Sequence, residues 1–325
     1  MTKIGKLIRM NEWLFSKLPF MFLPILCCFA ELEHIAAICI SYFIYLFFFY
    51  AFGYAINDYS DRAADKIVGK QNIMGELSEV QCLLVLAFLV SGALPLAIVS
   101  KNRSIYAILL WVYFWGAAYS IRPFRFKERG VSGLIVCTLA QRTFPMLPLL
   151  SISTRMLKYI VIWGIIGALV GLRYILIHQV IDLENDKKSG TTTFALSHLT
   201  KAKKMLYICF VIETLLIVSF LFLEYSALLS AAICVTYLIV MAVTFYTIHY
   251  IYKQSYIESY IAVPYEDFYN FYYPIVLLLI ALRQKPVAVL VLMILVIIGI
   301  RPMTDKWKIM NFGIVRIWKG RIWKK

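Results

Sequence analysis

Residues 35–65 read IAAICISYFIYLFFFYAFGYAINDYSDRAAD: 22 residues without a charge, then Asn57, Asp58, Asp61 and Asp65 crowded at the end of the run. A stretch of that length and apolarity is a membrane-spanning helix. If the helix continues into the acidic segment, Asp58, Asp61 and Asp65 are spaced three and then four residues apart and share a face. The arrangement recurs at Asp182-Leu183-Glu184-Asn185-Asp186, where another apolar run ends in two carboxylates four residues apart. Like charges at that spacing repel, so a divalent cation is their natural partner. Two such rows facing each other would hold Mg2+, and through it a diphosphate.

The rest of the chain places this chemistry in a bilayer. Of 325 residues 62% are hydrophobic and 16% charged, and the mean hydropathy is +0.78, far from a soluble domain. Apolar runs predict an all-α, polytopic bundle with spans at about 13–30, 35–56, 81–100, 105–119, 131–150, 158–181, 205–223, 227–252, 268–282 and 287–300. The last two are short, so the count is nine or ten. No polar or Pro/Ser-rich stretch is long enough to be a linker, and residues 1–325 read as one domain. The seven cysteines fall inside the spans without metal or redox spacing and read as small core residues.

Charge orients the bundle. With Lys3, Lys6 and Arg9 inside, ten alternating spans put 24 of the 33 Lys and Arg on the cytoplasmic side, as the positive-inside rule requires. Both acidic motifs then face the cytoplasm from the cell membrane. Nine spans would move the basic tail from Arg301 to Lys325 outside. The net charge of +15 suits a membrane-lipid surface, and no motif turns it into a nucleic-acid site.

Ionisable residues at membrane depth form a separate group. Arg142, Arg173 and Glu213 lie mid-span beside Gln141, and such groups face a cavity or a partner. They read either as ligand contacts or as an ion pair of Glu213 with Arg142 or Arg173 that ties helices together. His178 lies one turn before Asp182, placed to orient a carboxylate or an acceptor, or simply to sit satisfied in the interior.

Three motifs carry a resemblance. Asn57-Asp58-x-x-Asp61-x-x-x-Asp65 is similar to the NDxxDxxxD signature of the UbiA superfamily of intramembrane prenyltransferases. Asp182-x-x-x-Asp186, followed by Lys187, is similar to its DxxxD motif. Tyr119-Ser120-Ile121-Arg122-Pro123-Phe124-Arg125-Phe126-Lys127 is similar to the YS-x-x-P-x-R-x-K segment of several branches. The resemblance implies nine spans around a central cavity with a cytoplasmic polar cap. It implies transfer of an isoprenyl group from an allylic isoprenyl diphosphate to an aromatic or lipid acceptor. Asn57 would begin the catalytic row, Mg2+ would bind Asp58, Asp61, Asp65, Asp182 and Asp186, and Arg62, Lys66, Arg122, Arg125, Lys127 and Lys187 would be available to phosphate oxygens. A terpene cyclase on the same fold is the alternative. A divalent-cation transporter fits less well, because no acidic path crosses the bilayer.

Overall fold

The structure is a computed structural model. It describes residues 7–10, 13–67, 69, 71–181, 183–184, 187, 193–251, 267–297 and 299. Among these there is no strand, and helices account for nearly all regular structure. Asp182, Asp186 and the tail from Arg301 lie outside the described residues, as do parts of the loops that flank them.

Five helices are long and apolar enough to cross a membrane: Ile35–Ile67, Glu79–Ser100, Gly130–Ser151, Thr154–Ile181 and Leu199–Glu224. Shorter apolar helices cover Ser104–Ala118, Ala227–Val243, Phe268–Leu282 and Ala288–Ile297. The expected spans are recovered at nearly every position, except the first. Residues 13–30 do not form one helix: Leu18–Met21 and Leu23–Cys27 are separate short helices, each begun by a proline, and Phe29–Glu31 is a 3-10 turn. Pro19 and Pro24 have no N–H to give and clash with a preceding turn, so each restarts the helix. The segment is buried along both helices, and it threads the bundle interior.

Length explains how the acidic motif leaves the bilayer. The Ile35–Ile67 helix has 33 residues, about 50 Å at 1.5 Å per residue, against a hydrocarbon core of about 30 Å. Its final three turns therefore project beyond the apolar layer. Asn72 holds that projection in place. Its side-chain oxygen caps Ile73–Glu76 by accepting from the Gly75 N–H, while its Nδ2 donates to the Asp58 carbonyl at 2.7 Å and to Asp65 Oδ2 at 2.8 Å. The next helix starts with a capping box of Ser78 and Gln81. At Gly92 it crosses Phe48 so closely that a Cβ would lie 2.1 Å from the ring.

The fifth expected span is irregular in its middle. After Gly130–Thr138 the chain makes a π-helical turn at Leu139–Thr143 and then a 3-10 helix over Phe144–Ser151, which contains Pro145 and Pro148. The wide turn packs against Gly164, Gly167 and Gly171 of the Leu157–Ile181 helix. At Gly167 a Cβ would meet the Arg142 carbonyl oxygen at 3.0 Å, so small residues are what let the two backbones approach. Across the other side of Leu157–Ile181, Arg173 and Glu213 form a fully buried pair, with Nε to Oε2 at 2.9 Å and Nη2 to Oε1 at 3.0 Å. Tyr269 donates to the same carboxylate at 2.8 Å.

Candidate active site

The projecting end of Ile35–Ile67 forms one wall of a cavity of about 630 Å3. Asn57, Asp61 and Asp65 line it, at i, i+4 and i+8 on one helix face. Asp58 lies about 20° from Asp65 around the same helix, and its Oδ1 is 3.7 Å from Nη1 of Arg9, which also lines the cavity. The cavity is polar at this level and aromatic further in, where Phe49, Tyr50, Tyr54 and Tyr119 contribute.

The segment from Tyr119 to Gly130 supplies the opposing charge. It folds back on itself through hydrogen bonds from the Arg125 N–H to the Ile121 carbonyl at 2.8 Å and from the Lys127 N–H to the Tyr119 carbonyl at 3.0 Å. Arg122–Pro123 is a cis bond, and Arg125 takes a left-handed φ of 38°. The turn seats on Gly133, where a Cβ would lie 2.4 Å from the Phe126 carbonyl oxygen. Only glycine fits there. So anchored, the segment delivers Lys127 Nζ to 2.6 Å from Asp61 Oδ1 and Oδ2 and 2.9 Å from Asn57 Oδ1. Arg125 Nη2 donates to Asp61 Oδ1 at 3.1 Å. Ser120 Oγ donates to Asn57 at 3.1 Å.

Electrostatics at this corner are those of charges withdrawn from water. Burial pushes the Lys127 ammonium below the usual lysine range, opposed by its hydrogen bond and attraction to Asp61. Asp61 accepts from two cations at once.

The remaining residues picked out by sequence divide. Tyr119 and His178 line the cavity. Arg62 does not: its Nη2 pairs with Glu79 at 2.6 Å and its guanidinium stacks 4.3 Å over the Tyr59 ring. Lys66, Arg122 and Lys187 are exposed, with Arg122 in a separate surface cleft beside Arg129. Arg142 is nearly buried between the rings of Phe20 and Tyr174, 5.6 and 5.2 Å away, off the cavity wall. Arg173 is committed to Glu213, so its reading as a substrate contact gives way to the helix-tying pair.

Two cavity cations were missed from the sequence. Arg9 and Lys17 reach the wall from the N-terminal segment, and Lys17 donates to Gln141 Oε1 at 2.6 Å. Lys17 had a signal, a single cation inside the apolar run 13–30. Among the described residues no group of three or more His, Cys, Asp or Glu side chains forms a closed metal site. The donors on the wall are nevertheless of the type Mg2+ takes, carboxylate and amide oxygens of Asp61, Asp65 and Asn57.

A helical membrane bundle whose polar cap of carboxylates and cations covers an aromatic cavity defines a class of intramembrane protein that handles an amphiphile with a charged head. The family model for the UbiA prenyltransferase family matches residues 19–263, and the chain belongs to that family. Solved structures agree in fold. A UbiA homologue from Archaeoglobus fulgidus bound to DMAPP and Mg2+ superimposes with a TM-score of 0.57 at 20% identity, over 83% of this chain and 97% of that one. The apo UbiA homologue from Aeropyrum pernix K1 gives 0.60 at 13% identity, over 83% and 98%. A digeranylgeranylglyceryl phosphate synthase gives 0.52 at 17%, over 85% and 95%. No curated protein matches the sequence.

Proposed function

We propose that the protein transfers an isoprenyl group from an allylic isoprenyl diphosphate to an aromatic or lipid acceptor within the membrane. The observation that carries this is the convergence of Asp61, Lys127 and Arg125 at the mouth of a cavity whose deeper wall is aromatic. A charged head and an apolar chain are satisfied together only by such a site. The fold neighbour that binds DMAPP with Mg2+ supports the reading.

In this mechanism Asn57, Asp61 and Asp65 would hold the metal, joined by Asp58, Asp182 and Asp186 from the family motifs. When bound, Mg2+ supplies positive charge to the leaving diphosphate. Lys127 and Arg125, now paired with Asp61, clasp phosphate oxygens as charge-assisted donors. The allylic C–O bond breaks with its electron pair going to the diphosphate. A nucleophilic carbon or oxygen of the acceptor then bonds to the allylic carbon and gives up its proton. Phe49, Tyr50 and Tyr54 line the cavity where the allylic cation would develop. We also place the acidic motifs on the cytoplasmic face of the cell membrane, on the strength of the loop charges.

Purified protein with Mg2+ and geranyl, farnesyl or geranylgeranyl diphosphate, with and without aromatic and lipid acceptors, tests this by product mass. Acceptor-dependent adducts support transfer. A cyclic hydrocarbon formed without acceptor replaces it with cyclisation.

A further inference from the structure

Beyond the acidic row the chain reverses and returns a neutral side chain to it. Gly69 takes a left-handed φ of 70°, with its N–H donating to the Lys66 carbonyl at 3.4 Å. Asn72, seven residues after Asp65, then lies against the helix end. Its Nδ2 donates to the Asp58 carbonyl at 2.7 Å and to Asp65 Oδ2 at 2.8 Å. Asp58 and Asp65 stand two turns apart, so one amide nitrogen bridges the last turns of the motif.

Chemistry settles which way the amide faces. Its Oδ1 accepts from the Gly75 N–H at 3.1 Å, a bond that only the oxygen can make, so the nitrogen is the atom turned to Asp65. The segment that carries it is anchored from the far side. Met74 is fully buried, and Cys82 Sγ donates to the Met74 carbonyl at 3.3 Å. The position of Asn72 is therefore set by the Glu79–Ser91 helix as well as by Asp65.

Asp65 lines the cavity with 8% of its surface exposed. A hydrogen bond to one carboxylate oxygen restrains rotation about the Cβ–Cγ bond, and with it the direction of the other oxygen. An amide does this without bringing a positive charge that competes with a cation. Lys127 and Arg125 hold Asp61 differently, since each adds a charge that opposes a metal.

We infer that Asn72 is a positioning residue for the metal: it orients the Asp65 carboxylate toward a divalent cation in the cavity, although it belongs to neither acidic motif and does not line the cavity itself. The inference rests on the reading that Asp65 is a metal ligand. Hydrogen-bond partners of metal ligands are typically worth about 10- to 100-fold in metal affinity.

Mn2+ binding by the full chain in detergent tests this, followed by loss of the free-ion EPR signal, with geranyl S-thiolodiphosphate present as a substrate analogue that resists ionisation. Asn72→Ser and Asn72→Thr keep an oxygen to cap Ile73–Glu76 but carry no donor that reaches Asp65. Each should weaken Mn2+ binding about tenfold or more, with thermal unfolding close to that of the wild type. Asp65→Asn should weaken it too, and adding Asn72→Ser to Asp65→Asn should cost less than about twofold more, because Asn72 acts through Asp65. Unchanged Mn2+ affinity in both Asn72 variants overturns the inference. So does an equal loss in the wild-type and Asp65→Asn backgrounds, or failure of both variants to fold, either of which makes Asn72 a structural cap alone. If Asn72→Ser weakens Mn2+ binding but the wild type forms no prenylated product with an authentic diphosphate, transfer is what has failed, and the positioning role stands.

Discussion

Lys127 Nζ lies 2.6 Å from both carboxylate oxygens of Asp61, 66 residues away in sequence. The contact joins a helix end to a loop, and it puts a cation and an anion at the same corner of the cavity; on the proposed reading Lys127 would turn to a diphosphate oxygen. Lys127→Ala should therefore raise the KM for any prenyl diphosphate, whatever the acceptor. A charge-assisted hydrogen bond is worth about 1.5–3 kcal/mol, so a rise of roughly tenfold to a hundredfold is expected in steady-state assays. An unchanged KM would show that Lys127 only restrains Asp61.

The same residue sets a pH dependence. Burial lowers its folded-state pKa from the ordinary lysine value, so the ammonium is fully present below that lowered value and is lost as pH rises through it. Substrate affinity should accordingly fall on the alkaline side, starting below pH 10.5, and Lys127→Arg should remove that limb because a guanidinium stays charged. Stability moves oppositely. In the window between the lowered pKa and the unfolded one the unfolded chain binds more protons, so the burial penalty is relieved as pH rises. A KM profile flat to pH 10 in the wild type would contradict the assignment.

Metal dependence tests the acidic face. Asp61→Asn and Asp65→Asn should each cost about a hundredfold or more in turnover, with normal insertion and purification, since stabilising the leaving diphosphate is usually the largest catalytic contribution. Chelation should abolish the activity and Mg2+ or Mn2+ should restore it. Diphosphate release that persists in chelator would remove the mechanism.

How much of this was legible beforehand varied by element. Apolar run length located the long helices within a few residues, because a bilayer imposes that length directly. Residues 13–30 have the composition of a span but not its helix, since Pro19 and Pro24 act on backbone hydrogen bonds that hydropathy does not register. The acidic motif was plain, and Asn57, Asp61 and Asp65 of it stand on the cavity wall. Asp58 pairs with Arg9, a contact across the N-terminal segment that spacing within one helix does not show. Lys17 escaped because its contact is with Gln141, 124 residues away.

The buried pair of Arg173 and Glu213 has a testable structural consequence. Both side chains are fully excluded from solvent, and removing one partner leaves the other charge uncompensated, a cost of about 3–5 kcal/mol. Arg173→Met and Glu213→Gln should each lower the amount of monodisperse protein recovered from membranes, read by size-exclusion of a fluorescent fusion. The double variant Arg173→Met/Glu213→Leu should recover much of the loss. A stable Arg173→Met protein with altered product distribution would instead return Arg173 to the substrate.

Topology provides the last test, and exposure chooses its reporters. Ala63, Arg129 and Lys201 are exposed on the polar-cap side, whereas Asn102 is exposed in the turn between Glu79–Ser100 and Ser104–Ala118, at the opposite end of the bundle. The loop charges predict a cap on the cytoplasmic side. Single cysteines at these four positions, in a background lacking the seven native ones, should therefore divide cleanly under a membrane-impermeant thiol reagent. Asn102→Cys should label in intact cells. Ala63→Cys, Arg129→Cys and Lys201→Cys should label only after lysis, because the bilayer stands between them and the reagent. The reverse pattern would turn the protein over in the membrane and move its diphosphate site to the outer face, where the cytoplasmic pool of prenyl diphosphate could not reach it directly.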